Sequence, residues 1–172
     1  QQSPDINQGV DQESGEIGAG DQGIMFGFAS IETADFMPAA ITYARMLCDK
    51  VYNYALNHNQ KLGVDIKTQV TVDYGTKENF ENCKPQKIHT IVVSAPSVEG
   101  MGIGEVRELI QGLIDDSGLP TSMYDKKSTI IHINPTGRYV SHSSLHDSGL
   151  TGRKLIVDSF GGYSPIGGGA QS

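Results

Sequence analysis

The amino-acid sequence predicts an α+β fold, with helices on one face of a mostly antiparallel or mixed sheet. Stretches 38–58 and 103–116 have the 3.6-residue apolar period of amphipathic helices. Residues 68–74 alternate between apolar and polar side chains, which is typical of a half-buried strand. Apolar runs at 87–95 and 129–133 predict two further strands, so hairpins are combined with crossovers.

The N-terminal region is predicted to lack regular structure. Residues 1–22 are polar and acidic, contain Pro4 and show no apolar period, so we expect an extended loop that moves unless it is held. The apolar run 23–29 is bounded by turn residues, which predicts a buried strand.

The first long helix should begin with Pro38 at its first position, where proline is favoured. Its apolar stripe comprises Ile41, Ala44, Leu47, Cys48, Val51, Tyr54 and Ala55. A polar turn joins the next two strands into a hairpin with a long connection. Gly118 and Pro120 should end the second helix, and residues 154–159 are expected to form the last strand.

Glycine is unevenly distributed along the chain. It clusters at 15–27, 100–104 and 161–169, which indicates tight turns or close approach of the backbone to a ligand. The chain has 172 residues and opens on Gln1, so we expect it to be a fragment of a longer protein.

Charge and composition exclude several classes of protein. The formal net charge is −7, from 13 Lys and Arg against 20 Asp and Glu, which disfavours general nucleic-acid binding. No apolar stretch approaches the roughly 18 residues of a membrane span. The two cysteines show no metal-ligand spacing, and a reduced, cytoplasmic protein is expected.

Four stretches carry chemistry beyond packing. Glycines 18, 20 and 23 surround Asp21 and would bring it close to a ligand, or simply lead into a strand. Asp65 and Lys67 should share one face of a strand, and they would grip a ribose hydroxyl and a phosphate or form a solvated ion pair.

The other two stretches are cationic. Arg138 offers a planar fork for phosphate, and Tyr139 a ring on which a base can stack. Arg153 and Lys154 lie among small residues that leave room for a polyphosphate, but the spacing is not that of a Walker A loop. His132, His142 and His146 would need a helix to share a metal, and the surrounding serines favour a loop, so no metal site is predicted.

Taken together, these segments resemble the S-adenosylmethionine synthetase (methionine adenosyltransferase) family. The matching segments are QSPDINQGVD at 2–11, GAGDQGIMFGFA at 18–29, ET…MPA…TYA across 32–44, DIKTQV at 65–70, INPTGRYV at 133–140, DSGLTGRKLIVDSFGG at 147–162 and GGGAQS at 167–172. The resemblance implies a fold of three similar α+β domains with pseudo-threefold symmetry. On that basis we expect residues 1–22 to form a mobile active-site loop with the GAGDQG turn, and residues 23–140 an α+β domain. Residues 141–172 would be a glycine-rich nucleotide-site segment of an adjacent domain. The resemblance further implies that the methionine sulfur attacks C5′ of ATP, and that the released triphosphate is hydrolysed to pyrophosphate and phosphate.

The resemblance also implies partners and roles. ATP and L-methionine would be substrates, two Mg²⁺ and K⁺ would act in the full-length protein, and a homodimer or homotetramer would form sites between subunits whose flat sheets pack face to face. Neither nucleic acid nor a membrane is implied. ATP-binding residues would be Asp21, Asp65, Ile66, Lys67, Arg138, Tyr139, Asp147, Arg153, Lys154 and Ala170.

Lys67, Arg153 and Lys154 would be catalytic, and Gln2 and Asp147 would bind methionine. The flexible loop over the site would comprise Gln2, Ser3, Pro4, Asp5, Ile6, Asn7, Gln8, Gly9, Val10, Asp11 and Gln12. Tyr139 stands where family members often have Phe.

The sequence also departs from the family pattern. The His-Pro-Asp-Lys motif and the Lys-Asp segment, with most of the metal ligands, are not found in this chain, so we expect the isolated chain to be inactive. Two other interpretations stay open: a non-catalytic regulatory or scaffolding subunit of the same fold, and a module that binds ATP without needing methionine.

Overall fold

The structure is a computed structural model that describes residues 3–10, 14–16, 18, 26–140, 152 and 154–167. The chain divides into two compact units, Gln1–Phe28 with Thr151–Ser172, and Ala29–Leu150. The elements in chain order are α1 (Pro4–Val10), α2 (Ala39–Asn57), β1 (Lys67–Asp73), α3 (Lys77–Glu81), β2 (Lys87–Ser94), α4 (Ile103–Asp115), β3 (Ile130–Ile133) and α5 (Leu155–Asp158).

The larger unit is built on a three-stranded mixed sheet with the order β1-β2-β3. β1 and β2 are antiparallel, with Val70 opposite Ile91 and a register shift between Thr71 and Val72. β2 and β3 are parallel, with Val93 opposite Ile133. The predicted α+β class and the hairpin with a long connection are therefore confirmed.

The core lies between this sheet and the two long helices. In α2 the buried residues recur every four positions and form one row along the helix. The helices contribute Ala39, Tyr43, Leu47, Val51 and Ala55 from α2, with Val106, Ile110 and Ile114 from α4. The sheet contributes Val70, Ile88, Ile91, Val93 and Ile133 to the same cluster.

Both predicted helices are confirmed. The predicted stripe of α2 is correct at Leu47, Val51 and Ala55, but it omitted the buried Ala39 and Tyr43. Ile41 and Cys48, which it included, are only half-buried.

The start of α2 differs by one residue from the prediction. Pro38 precedes the helix with extended backbone (φ −57°, ψ 137°), so it is not the first helical residue. The carboxylate of Glu32 accepts the backbone N–H of Ala39 at 2.7 Å. This contact satisfies one of the free donors at the helix start, a task that the Pro38 side chain cannot perform.

Two short segments of the larger unit differ from the prediction, one in its structure and one in where it begins. The connection predicted as a polar turn contains α3, whose first turn is capped by the Thr76 hydroxyl, which accepts the Asn79 N–H at 3.2 Å. Residues 129–133 form a strand as predicted, although β3 begins at Ile130.

The smaller unit contains three departures from the predictions. α1 occupies residues predicted as an extended loop, and Pro4 takes its first position. Residues 26–29 are not in a strand, and the rings of Phe28 and Phe160 pack 5.8 Å apart instead. Residues 23–25 lie outside the described part.

The predicted strand at 154–159 is also wrong. α5 forms a single helical turn there, closed by the Asp158 N–H, which donates to the Lys154 carbonyl at 2.9 Å. Gly161 and Gly162 follow with positive φ (66° and 92°), which turns the chain where a strand would continue. No helix in the described part of the chain is both long and apolar enough to cross a membrane.

Candidate functional site

Three residues that the sequence singled out meet where β1 begins. The hydroxyl of Tyr139 donates to Asp65 Oδ2 at 2.5 Å. Lys67 Nζ lies 3.8 Å from Asp65 Oδ1 and 5.6 Å from the centre of the Tyr139 ring. We call Asp65, Lys67 and Tyr139 the β1 triad; it joins a carboxylate, a cation and an aromatic ring.

The strand entry explains the placement of Asp65 and Lys67. Between them Ile66 packs against the core, so alternation turns the side chains of its two neighbours the other way. Thr68 then fastens the strand to α2, since its hydroxyl donates to the Ala44 carbonyl at 2.7 Å. β1 begins at Lys67, so Asp65 lies just before the strand and not on its face, although the two side chains approach to 3.8 Å.

Tyr139 reaches the triad through the segment after β3, residues 134–139, which we call the Asn134 loop. Asn134 is buried and has a φ of 44°, a left-handed conformation that asparagine tolerates better than most residues. Its side chain accepts the Ala95 N–H and donates to the Ala95 carbonyl, both at 3.0 Å. At the far end the Tyr139 carbonyl accepts the Ser97 N–H at 2.9 Å.

The backbone reversal inside this loop depends on Gly137. Its φ is 101°, which side chains with a Cβ rarely adopt, and its N–H donates to the Asn134 carbonyl at 3.0 Å. The loop is therefore held at both ends and closed in the middle. Nothing in the local sequence indicates that the Asn134 side chain bonds to Ala95, the residue after β2.

The surroundings of the triad keep the Tyr139 phenol protonated and leave the Lys67 ammonium exposed. Desolvation, followed by the hydrogen bond and charge of Asp65, raises the pKa of Tyr139 to about 12. The phenol therefore remains a donor at neutral pH. The Lys67 side chain is 70% exposed, whereas that of Asp65 is 32% exposed. The ammonium is thus available to a ligand from solvent.

Arg138 extends the cationic surface beside the triad. It is exposed and lines a cleft of about 390 Å³ together with Glu99, Tyr139 and Val140. A cation, a ring and a carboxylate around an open cleft suit the phosphate, base and ribose of a nucleotide. Glu99 was not among the predicted residues, because nothing in its sequence surroundings distinguishes it from a solvated surface carboxylate.

The remaining predicted residues belong to the smaller unit or lie outside the described residues. Lys154 belongs to the smaller unit, where it is exposed and immediately precedes α5. In the segment 2–12, α1 covers Pro4–Val10. Seven predicted site residues lie outside the described part: Gln2, Asp11, Gln12, Asp21, Asp147, Arg153 and Ala170.

The described residues do not form a metal centre. Across 3–10, 14–16, 18, 26–140, 152 and 154–167, no three His, Cys, Asp or Glu side chains are grouped to hold an ion. His132 is exposed on β3, and His142 and His146 are outside the described residues. The described residues therefore offer no cluster of carboxylate ligands that fits a magnesium ion.

Comparison with protein-family models identifies the family of the chain. The family model described as S-adenosylmethionine synthetase, central domain, matches residues 16–139, and that of the C-terminal domain matches residues 142–172. The chain belongs to the S-adenosylmethionine synthetase family. The resemblance carried by the sequence motifs is thereby confirmed.

Curated relatives cover the whole chain. The S-adenosylmethionine synthase of Sulfurovum sp. (strain NBC37-1) is 44% identical over 173 residues, covering 100% of this chain and 43% of the relative. That of Helicobacter pylori (strain J99) is 44% identical over 178 residues, with the same coverages of 100% and 43%. The chain thus spans less than half the length of these family members.

A solved structure in the S-adenosylmethionine synthetase family has the same fold. It is an S-adenosylmethionine synthetase from Campylobacter jejuni, described as unusual, and it is 70% identical to this chain with a TM-score of 0.85. The match covers 99% of this chain and 41% of that one. The α+β arrangement described above is therefore the arrangement of a family member.

Proposed function

We propose that the full-length protein carrying this chain makes S-adenosylmethionine from ATP and L-methionine, and that this chain contributes much of the nucleotide site. The observation that carries the proposal is the β1 triad, in which Asp65, Lys67 and Tyr139 make mutual contacts in a member of this family. Attack by the methionine sulfur on C5′ would expel triphosphate, which is then hydrolysed to pyrophosphate and phosphate.

The triad and its neighbour have the chemistry that this reaction requires. The leaving triphosphate carries several negative charges, so exposed cations such as Lys67 and Arg138 stabilise the transition state by neutralising them. The Tyr139 ring can stack on the base, and Asp65 can accept a ribose hydroxyl. A thioether is a weak nucleophile, so holding the nucleotide still raises the rate.

The other roles are proposed on the family resemblance. We assign Asp21, Asp147 and Ala170 to ATP, with Gln2 and Asp147 also contacting methionine. Arg153 and Lys154 would join Lys67 as catalytic cations on the polyphosphate. Segment 2–12 would close over the substrates.

The proposed ions have no complete site in the described residues. We expect two Mg²⁺ and K⁺ to act in the full-length protein, bound mostly by residues outside this chain. Bound Mg²⁺ would supply charge neutralisation at the phosphates.

We further propose a homodimer or homotetramer with active sites between subunits. The sheet has one face opposite the core, and Gln69, Val92 and His132 lie side by side on it across the three strands. Ile130, in the next row on the same face, is 46% exposed. A partly apolar sheet face suits packing against a second copy.

We propose the same domain organisation and location as the sequence predicted. Residues 23–140 would form one α+β domain and 141–172 would belong to an adjacent one, in a cytoplasmic protein. The two family matches meet between residues 139 and 142, which supports that boundary.

The test is product analysis of the full-length protein. ATP with L-methionine should give S-adenosylmethionine, pyrophosphate and phosphate, measured by chromatography and mass spectrometry. ATP alone should give no adenosylated product. ATP binding without any product in either reaction would support the nucleotide-binding module. Neither binding nor product in a folded protein would support the regulatory or scaffolding subunit.

A further inference from the structure

The outer surface of α4 reaches the Asn134 loop through one long side chain. Arg107 Nε donates to the Ile133 carbonyl at 3.1 Å, and Arg107 Nη2 donates to the Asn134 carbonyl at 3.3 Å. These are the last carbonyl of β3 and the first of the loop. One guanidinium thus spans the junction where the strand becomes the loop.

The Asn134 carbonyl has two donors. It accepts Arg107 Nη2 and also the Gly137 N–H, which closes the turn before Arg138 and Tyr139. A carbonyl oxygen has two lone pairs, so both contacts can form together. The position of Arg107 therefore bears directly on the turn that presents the nucleotide-facing side chains.

The chemistry of arginine suits this task. Its guanidinium is a planar fork with fixed donor directions, and charge-assisted hydrogen bonds are stronger than neutral ones. Within the described residues no carboxylate forms an ion pair with Arg107, so its recorded partners are the two backbone carbonyls. The carbonyls of Ile133 and Asn134 therefore orient the Arg107 guanidinium.

We propose that Arg107 is a positioning residue for ATP, which holds the Asn134 loop so that Arg138 and Tyr139 face the nucleotide. This inference rests on the proposed function. Arg107 touches no predicted ligand position itself; it acts through the backbone of residues 133 and 134. Neither the sequence motifs nor the predicted site residues include it.

The test compares Arg107→Met with Lys126→Met in the full-length protein. Arg107 and Lys126 both line a cleft of about 720 Å³ beside α4. The Lys126 ammonium contacts Asp115 at 2.5 Å and not the loop. We expect Arg107→Met to raise the KM for ATP about fivefold and leave the KM for methionine unchanged. Arg107→Lys should recover part of the loss because lysine keeps one charged donor.

Amide hydrogen exchange gives a second readout that does not need activity. Arg107→Met should speed exchange at Gly137 relative to wild type and Lys126→Met, while β1 and β2 keep their protection. Unchanged exchange at Gly137, or an equal rise in both KM values, would overturn the positioning role. A wild-type protein that makes no S-adenosylmethionine would instead refute the proposed function, and the exchange result would still decide the role of Arg107.

Discussion

At the scale of single residues, the β1 triad shows which contacts of a site can be predicted from local sequence patterns and which cannot. The approach of Asp65 to Lys67 joins residues only two positions apart, and the local pattern led to its prediction. The bond from Tyr139 to Asp65 spans 74 positions and depends on where the Asn134 loop ends. Such a contact requires the parallel pairing of β2 and β3, which no local signal specifies.

The phenol of Tyr139 should ionise late. Its pKa is raised to about 12, and that of Tyr124 is also raised to about 12, by desolvation and then by its bond to Asp115. Because both folded values lie above the ordinary 10.0, their stabilising contribution is complete below pH 10 and disappears as pH rises through 12.

Tyrosinate absorbance after rapid pH jumps measures this effect. The wild-type protein should show Tyr124 and Tyr139 among the late-ionising members of its seven tyrosines. Tyr139→Phe should remove one late group, and the control Tyr124→Phe should remove the other. If Tyr139→Phe instead removes a group that titrates near pH 10, the bond to Asp65 does not form in solution.

At the scale of elements, α2 should owe its stability to its buried row. Leu47 is fully buried, whereas Leu56 on the same helix is 53% exposed. Leu47→Ala should lower the free energy of unfolding by about 2–5 kcal/mol, through lost burial and the cavity left behind. Leu56→Ala should cost less than about 1 kcal/mol. Urea denaturation measures both, and equal losses would contradict the assigned helix face.

The Asn134 loop should depend on one buried amide. Asn134→Ala removes two hydrogen bonds to Ala95 and places alanine at a φ of 44°, so we expect a loss of about 2–4 kcal/mol. Asn57→Ala is the matched control, since its amide only donates to the Asn53 carbonyl on an exposed surface. Chemical denaturation that gives similar small losses for both would refute the anchoring role.

Element prediction succeeded where an apolar face is long. α2 and α4 each bury several turns, so their period is repeated enough to be read from sequence. α5 has four residues, too few to show any period, and its β-branched Ile156 and Val157 imitate a strand. α3 has five residues, buries none of them and depends on the Thr76 cap, so its sequence shows no apolar period.

At the scale of the whole molecule, the α+β class was predictable because it needs only the order and type of elements. Composition was less informative about the ligand: a net charge of −7 argues against anions in general. The structure resolves this conflict, because Lys67 and Arg138 are exposed near Tyr139. Local cations govern binding when they lie closer to the ligand than the screened field of the other charges.

The contrast between local cations and net charge gives a test of what determines the affinity for ATP. Lys67→Met and Lys87→Met change the net charge equally, and each lysine pairs with one aspartate, Asp65 at 3.8 Å or Asp73 at 3.7 Å. Lys87 lies opposite Asp73, at the far end of β1 and about 20 Å from Lys67. That distance exceeds the screening length of about 10 Å at 0.1 M salt.

If the local field determines the affinity, Lys67→Met should raise the KM for ATP about tenfold at 0.1 M salt, and Lys87→Met should leave it within about twofold of wild type. Because the Lys67 side chain is 70% exposed, added salt should shrink the difference between Lys67→Met and wild type. The measurement is initial rate against ATP concentration at several salt concentrations in the full-length protein. Equal effects of both substitutions would mean that net charge, and not the β1 triad, sets the affinity for the nucleotide.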